Sequence, residues 1–238
     1  MRIHHGDTVV DVLPLAACEP DRSLLPDEDR ARHARFVDAA AADSYLRRQS
    51  ALRRRLGEEL GIDPAAVALT TAGNLKPILA TTAESDDNNV GAEPGPTVHF
   101  NLSASGPLMV LAVDRTGPVG VDIECHKIHD GLTASSLTPA LHPRELEQLA
   151  GDDLDDILQC WVFKEAWIKW TGEGMRADLK NLRLWRPGLT DAFTFDGAAV
   201  RLDRIGAGGD HDPSLPAAWV GLVKADVTAV GGPLDRGI

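Results

Sequence analysis

The stretch Val119-Gly120-Val121-Asp122-Ile123-Glu124, read together with Trp161-Val162-Phe163-Lys164-Glu165-Ala166-Trp167-Ile168-Lys169, decides how this chain is built. Side chains alternate faces along a strand, so Val121 and Ile123 point into a core while Asp122 and Glu124 share the opposite face. The second stretch has a helical period. Trp161, Glu165 and Lys169 fall on one stripe at i, i+4 and i+8, and Cys160, Phe163, Trp167 and Trp170 are left to pack elsewhere. The helix can therefore bring a third carboxylate and a cation to the pair on the strand.

Three hard carboxylate ligands without a His or Cys partner suit Mg²⁺ or Mn²⁺, and Mg²⁺ commonly bridges protein carboxylates to substrate phosphates. The alternative is that Asp122 and Glu124 are solvated strand-edge charges and that Glu165 and Lys169 form a helix-surface pair worth a few tenths of a kcal/mol. Against it stand the flanking Trp161, Phe163, Trp167, Ile168 and Trp170, surroundings too apolar for unpaired charges.

Working outward, the spacing predicts a strand over residues 3–13, helices over 26–38 and 40–60, and a stop at Gly61-Ile62-Asp63-Pro64 with a short helical turn after it. Strands follow at 68–71, 98–103, 107–113 and 119–124, with a long polar loop over 83–97. The turn Asp114-Arg115-Thr116-Gly117-Pro118 is the natural boundary between residues 1–117 and 118–238. The second part continues with helices at 143–149 and 154–171 and strands at 182–184, 199–203 and 218–227. Residues 206–216 read as a hairpin tip and 231–238 as a frayed tail. Both parts place strands beside helices, the α/β (α+β) class.

The chain has 238 residues, 43% of them hydrophobic, and a net charge of −12. Such an acidic balance opposes nucleic-acid binding. It also weakens a metal-dependent nuclease reading of the same carboxylates and lysine. A non-catalytic binding module is a further alternative, whose mark would be a broken carboxylate set. No run of apolar residues is long enough to span a membrane, and the opening Met1-Arg2-Ile3-His4-His5 is no basic, apolar leader, so a cytoplasmic location is expected. Cys18, Cys125 and Cys160 have neither metal nor redox spacing, which suits a reducing compartment. Against the acidic background, Arg30, Arg32, Arg35, Arg47, Arg48, Arg53, Arg54 and Arg55 form a local concentration of cations able to grip phosphate, or else the polar face of amphipathic helices.

The Gly-Val-Asp-Ile-Glu strand, followed by Trp-x-x-Lys-Glu-x-x-x-Lys and then Gly172 and Gly174, resembles the signature of the 4'-phosphopantetheinyl transferases, in the larger surfactin-synthetase-activating type. Lys76-Pro77 and His99-Phe100-Asn101-Leu102-Ser103-Ala104-Ser105 follow the order of two further family motifs. The resemblance implies transfer of the phosphopantetheine arm of coenzyme A to a serine of an apo carrier protein, with release of adenosine 3',5'-bisphosphate. It also implies two similar halves related by pseudo-twofold symmetry, with the site in the cleft between them, and a monomer free of membrane. Asp122, Glu124 and Glu165 would hold Mg²⁺; Glu165 would serve as base and Lys169 would meet the α-phosphate. Coenzyme A would be met by Arg32, Arg48, Lys76, Pro77, Asn101, Ser103, Ala104, Ser105, Asp122, Lys164 and Lys169.

Two positions depart from the family pattern. Leu75 stands where a glycine precedes Lys76-Pro77, and Ala104 stands where a histidine would reach the 3'-phosphate. The carrier protein, which presents an acidic helix, would meet residues 142–149 or the cluster Met175, Arg176, Leu179, Lys180 and Arg183.

Overall fold

Residues 8–14 carry Val10 and Val12 on one side and Asp11 on the other, the alternation of a strand with an inner and an outer face. In the computed structural model, which describes residues 1–71, 76–80, 98–125, 137–149, 154–174, 177–183, 192–195, 198–206 and 214–225, that strand joins a four-stranded antiparallel sheet. The sheet runs in the order β1 (Arg2–His5), β2 (Thr8–Pro14), β6 (Leu108–Asp114), β5 (His99–Ser105). The single N-terminal strand expected over 3–13 is thus a hairpin, turned at Gly6-Asp7. A second antiparallel sheet follows the order β7 (Val119–Cys125), β10 (Ala218–Ala225), β9 (Ala198–Ile205), β8 (Ala192–Phe195). A short pair, β3 (Leu69–Thr71) and β4 (Pro77–Leu79), stands apart. Neither β4 nor β8 was anticipated. The strand expected at 182–184 does not form at Leu182 and Arg183, and Leu184, the loop 83–97 and the tail 231–238 lie outside the described residues.

The layers follow from which faces are apolar. Val10, Val12, Leu108, Val110 and Ala112 meet Val121, Ile123, Val220 and Leu222 between the two sheets. The outer face of the first sheet, with Phe100, Leu111 and Val113, is covered by Leu52 and Leu56 of α2 (Ala39–Leu60). Asp11 on that face is gripped by Arg55 of the same helix at 2.7 Å and by Arg2 at 2.6 Å. α1 (Asp27–His33) is held to α2 by Asp29, which accepts from Tyr45 Oη at 2.7 Å and from the buried Arg53 at 2.6 Å. The outer face of the second sheet packs against α4 (Leu154–Thr171) through Leu158, Val162, Phe163, Ala166 and Trp167, with α3 (Pro143–Gln148) beside it. The chain is a mixed helix and strand, α+β fold.

Two glycines let α4 sit close. A Cβ on Gly120 would stand 2.1 Å from Ala166 O and 2.4 Å from Trp170 N, and one on Gly221 of the adjacent strand would stand 2.7 Å from Val162 Cγ1. The absence of side chains there brings the helix backbone onto β7 and β10, which places the stripe Trp161, Glu165, Lys169 beside the carboxylates of β7.

Candidate active site at the seam between β5, β7 and α4

β7 is an edge strand of its sheet, and its outward N–H groups need acceptors. β5 supplies them from side chains. Asn101 Oδ1 accepts from Val121 N at 2.9 Å, and Ser105 Oγ accepts from Cys125 N at 3.2 Å. Between them, Ser103 Oγ donates to Asp122 Oδ1 at 2.7 Å, while Ser105 Oγ donates to Glu124 Oε2 at 2.7 Å. Asn101, Ser103 and Ser105 therefore form a polar ladder at i, i+2, i+4 that fixes both the backbone and the carboxylates of β7. Asn101, expected at coenzyme A, is buried and given to this backbone contact. Ala104 points to the other face, against Leu15, Cys18 and Met109, next to Ala51 of α2.

From α4, Lys169 Nζ reaches Asp122 Oδ1 at 2.5 Å and Ser103 Oγ at 2.9 Å. Asp122 is 3% exposed, and its second oxygen, Oδ2, is buried without a hydrogen-bond partner among the described residues. An orphaned carboxylate oxygen in that position costs about 1–3 kcal/mol unless a cation completes it. Glu165, half-buried on the same stripe, has its carboxyl pushed above the ordinary glutamate range by burial first and by the negative charge of Asp122 next, with Lys169 opposing and Glu124 adding. That coupling puts all three carboxylates in one electrostatic neighbourhood. Among the described residues, no group of three or more Asp, Glu, His or Cys side chains is drawn together closely enough to hold a metal ion. The orphaned Asp122 Oδ2 suits a hard divalent ion that takes most of its ligands from phosphate.

Lys76 Nζ donates to Val119 O at 3.1 Å and Lys169 O at 2.9 Å, tying the segment before β4 to both β7 and the end of α4. Burial, then the nearby Lys169, lowers its pKa. Pro77 opens β4, half-buried, opposite Thr71. Lys164 is a correction. Its ammonium is fully buried against Glu145 Oε2 at 2.7 Å, Leu179 O at 2.7 Å and Ala140 O at 3.0 Å, so all three N–H donors are used inside the protein and none faces a phosphate. The helix turns about 100° between Lys164 and Glu165, which takes the lysine into the body of the protein. Glu145 carries no signal in the sequence beyond its place in a capping box with His142.

The arginines separate into two kinds. Arg30, Arg47, Arg53, Arg54 and Arg55 each have a carboxylate partner. Arg32, Arg35 and Arg48 have none among the described residues. Arg32 lies over the Tyr45 ring at 5.3 Å, and the pKa of Arg48 is lowered by burial and then by Arg32. Two adjacent guanidinium groups without an acid between them suit an anion. Cys125, beside Glu124, has its thiol raised to about 11 by burial, and it donates to Ser105 O at 3.2 Å. The two segments expected at a carrier protein meet around a cavity of ≈ 290 Å³ lined by Thr138, Pro139, Leu141, Pro143, Leu146 and Lys180. Met175 and Arg176 lie outside the described residues.

Comparison with known proteins agrees with this geometry. The profile of the 4'-phosphopantetheinyl transferase superfamily matches residues 118–207, which span β7 to β9 and include all of α4. Over 174 residues the chain is 29% identical to a 4'-phosphopantetheinyl transferase of Bacillus subtilis, covering 71% of this chain and 70% of that protein. It is 31% identical over 166 residues to the 4'-phosphopantetheinyl transferase HetI of Nostoc sp., covering 68% of this chain and 65% of the relative. The human L-aminoadipate-semialdehyde dehydrogenase-phosphopantetheinyl transferase is 28% identical over 173 residues, and the match spans 68% of this chain but only about half, 52%, of that protein. The motif-bearing strand and helix, their packing through Gly120 and these alignments agree: the chain belongs to the 4'-phosphopantetheinyl transferase superfamily, a family of transferase enzymes.

Proposed function

We propose that this protein moves the 4'-phosphopantetheine group of coenzyme A to a serine of an apo acyl or peptidyl carrier protein, in a Mg²⁺-dependent reaction that releases adenosine 3',5'-bisphosphate. The observation that carries the reading is the convergence on Asp122 of Ser103 and Lys169, with the buried Oδ2 left open and Glu165 alongside. In the reaction the serine Oγ forms a bond to the β-phosphorus, the bridging P–O bond breaks, and its electron pair leaves on the α-phosphate. Positioning and charge neutralisation carry most such transfers. Asp122 Oδ2, Glu124 and Glu165 would hold Mg²⁺, or Mn²⁺ in its place, and the ion when bound would neutralise charge on the diphosphate oxygens. Lys169 would pass from Asp122 to the α-phosphate. Glu165 would accept the proton the serine loses.

Arg32 and Arg48 hold the 3'-phosphate in this reading, taking over from the imidazole that Ala104 lacks. The sheets built from residues 2–114 and 119–225 are read as the two pseudo-twofold halves, with coenzyme A between them. A cytoplasmic monomer accompanies the reading, and no described helix is long and apolar enough to cross a membrane.

The test is intact-mass spectrometry of an apo carrier protein incubated with this protein, coenzyme A and Mg²⁺. The expected outcome is a gain of roughly 340 Da, the mass of one phosphopantetheine, abolished by EDTA. No gain on a fatty-acid carrier and on a nonribosomal-peptide carrier, with the protein folded, would overturn the reading.

A further inference from the structure

We propose that Lys164 is a positioning residue, a buried strut that fixes the rotation of α4 about its own axis and thereby the aim of Glu165 and Lys169. The inference rests on the transferase reading and adds a role for a residue that touches none of the reacting atoms. The face of α4 that meets the sheet is built of Leu158, Val162, Phe163, Ala166 and Trp167. Apolar contact of that kind is non-directional and leaves rotation and sliding weakly specified. Lys164 supplies the direction. Its ammonium is bound by acceptors from three segments: Ala140 ahead of α3, Glu145 on α3, and Leu179 in the turn beyond the end of α4. Both members of the Lys164–Glu145 pair are 0% exposed.

Glu145 is itself fixed. The Oε2 that meets Lys164 also accepts from His142 N at 2.8 Å, within the capping box that starts α3. A buried ammonium is tolerated only where every N–H finds an acceptor, so a small rotation of α4 would break three bonds at once in a medium where none can be replaced by water. Glu165 is the next residue, and Lys169 lies little more than a turn further on. Lys76 fastens the far end of the same helix by bonding Lys169 O. The catalytic stripe is thus held at its middle by Lys164 and at its end by Lys76.

The test pairs Lys164→Met with Glu145→Gln, because removing one charge alone leaves the other buried and unpaired. The double variant is expected to fold, with a dissociation constant for coenzyme A within about 2-fold of wild type and an unchanged KM for it. Its kcat is expected to fall by about 10–100-fold, the range seen when a group supporting a site is removed. Amide hydrogen exchange over residues 165–171 is expected to accelerate. Wild-type kcat with unchanged exchange would overturn the inference, and so would weakened coenzyme A binding at unchanged exchange, which would make Lys164 a ligand. Should the double variant fail to fold, Glu145→Asp, which keeps both charges and shortens the reach of the carboxylate, keeps the test open: a several-fold loss of kcat at unchanged coenzyme A affinity supports the strut, and an unaltered kcat overturns it. If the wild-type protein transfers nothing, the transferase reading falls, and the exchange measurement still decides whether Lys164 fixes the helix.

Discussion

Replacing Gly120 by alanine tests the central geometric claim, that α4 reaches the carboxylates of β7 only because one residue of the strand has no side chain. The new Cβ would stand 2.1 Å from Ala166 O and 2.4 Å from Trp170 N, where real Cβ contacts essentially never fall under 3.0 Å. Both obstructing atoms are backbone, so no rotamer change relieves the overlap. The helix must retreat by roughly 1 Å, enough to break near-attack geometry. Ala166 follows Glu165 and Trp170 follows Lys169, so the displacement acts directly on the two residues proposed as catalytic. It also strains the bonds from Lys76 Nζ to Val119 O and Lys169 O, the carbonyls next to the clash.

A misplacement of this size is expected to cost on the order of 10²-fold in kcat. Overpacking of about 1–3 kcal/mol should lower the thermal midpoint by about 5 °C in a chain of this length. Gly221→Ala is the matched comparison. Its nearest obstruction is the Val162 side chain at 2.7 Å, with backbone no closer than 3.0 Å, so side-chain rotation absorbs part of it and the loss of turnover should be smaller. Both variants would be assayed by carrier-protein mass shift against time and by calorimetry. Wild-type turnover in Gly120→Ala with an unmoved midpoint would refute the close-approach argument.

Two further outcomes follow from other contacts. Arg48→Ala and Arg32→Ala are each expected to raise the dissociation constant for coenzyme A about 10-fold, in line with a charge-assisted bond of ~1.5–3 kcal/mol, while leaving 3'-dephospho-coenzyme A unaffected by calorimetric titration; equal losses for both ligands would remove the 3'-phosphate assignment. Asp114, partly offset by burial, is held down to about 2 by bonds from Thr116 and Thr8 and by the charge of Lys224. A depressed carboxyl stabilises the fold above its unfolded pKa and loses that contribution as pH falls through the folded one. Asp114→Asn should therefore unfold more readily at neutral pH, by about 1–2 kcal/mol after solvent screening, with the difference vanishing between pH 3.8 and about 2. An equal deficit throughout that range in acid denaturation would show a packing effect instead.

How much of this could be read from residues alone depended on the reach of the interaction. The stripe Trp161, Glu165, Lys169 was legible because a helical period is local, and in the fold those residues are the half-exposed line along α4. The pairing of Asp122 and Glu124 on one face was legible for the same reason. The hairpin at Gly6-Asp7 was hidden because Arg2-Ile3-His4-His5 holds a single apolar residue and shows no strand period of its own, although Gly6 with its positive φ is a turn residue. β4 is three residues long, too short for a period to show. Lys164 was misread because spacing gives a direction around the helix but not what waits there; Glu145, Ala140 and Leu179 arrive from separate segments. The polar alternation Asn101, Ser103, Ser105 was a visible signal, but its use as a clasp on β7 required knowing that β5 lies against that edge.

That clasp also works as a check on strand registration. A slip of β5 by one residue would turn Asn101, Ser103 and Ser105 to the face now held by Phe100, Leu102 and Ala104, and a slip of β7 would bury Asp122 and Glu124 between the sheets. Either error leaves edge N–H groups and carboxylates without partners at the same moment. Only the register that assembles the candidate site satisfies the seam, so the bonds that aim the carboxylates also penalise misaligned intermediates while the two sheets are coming together.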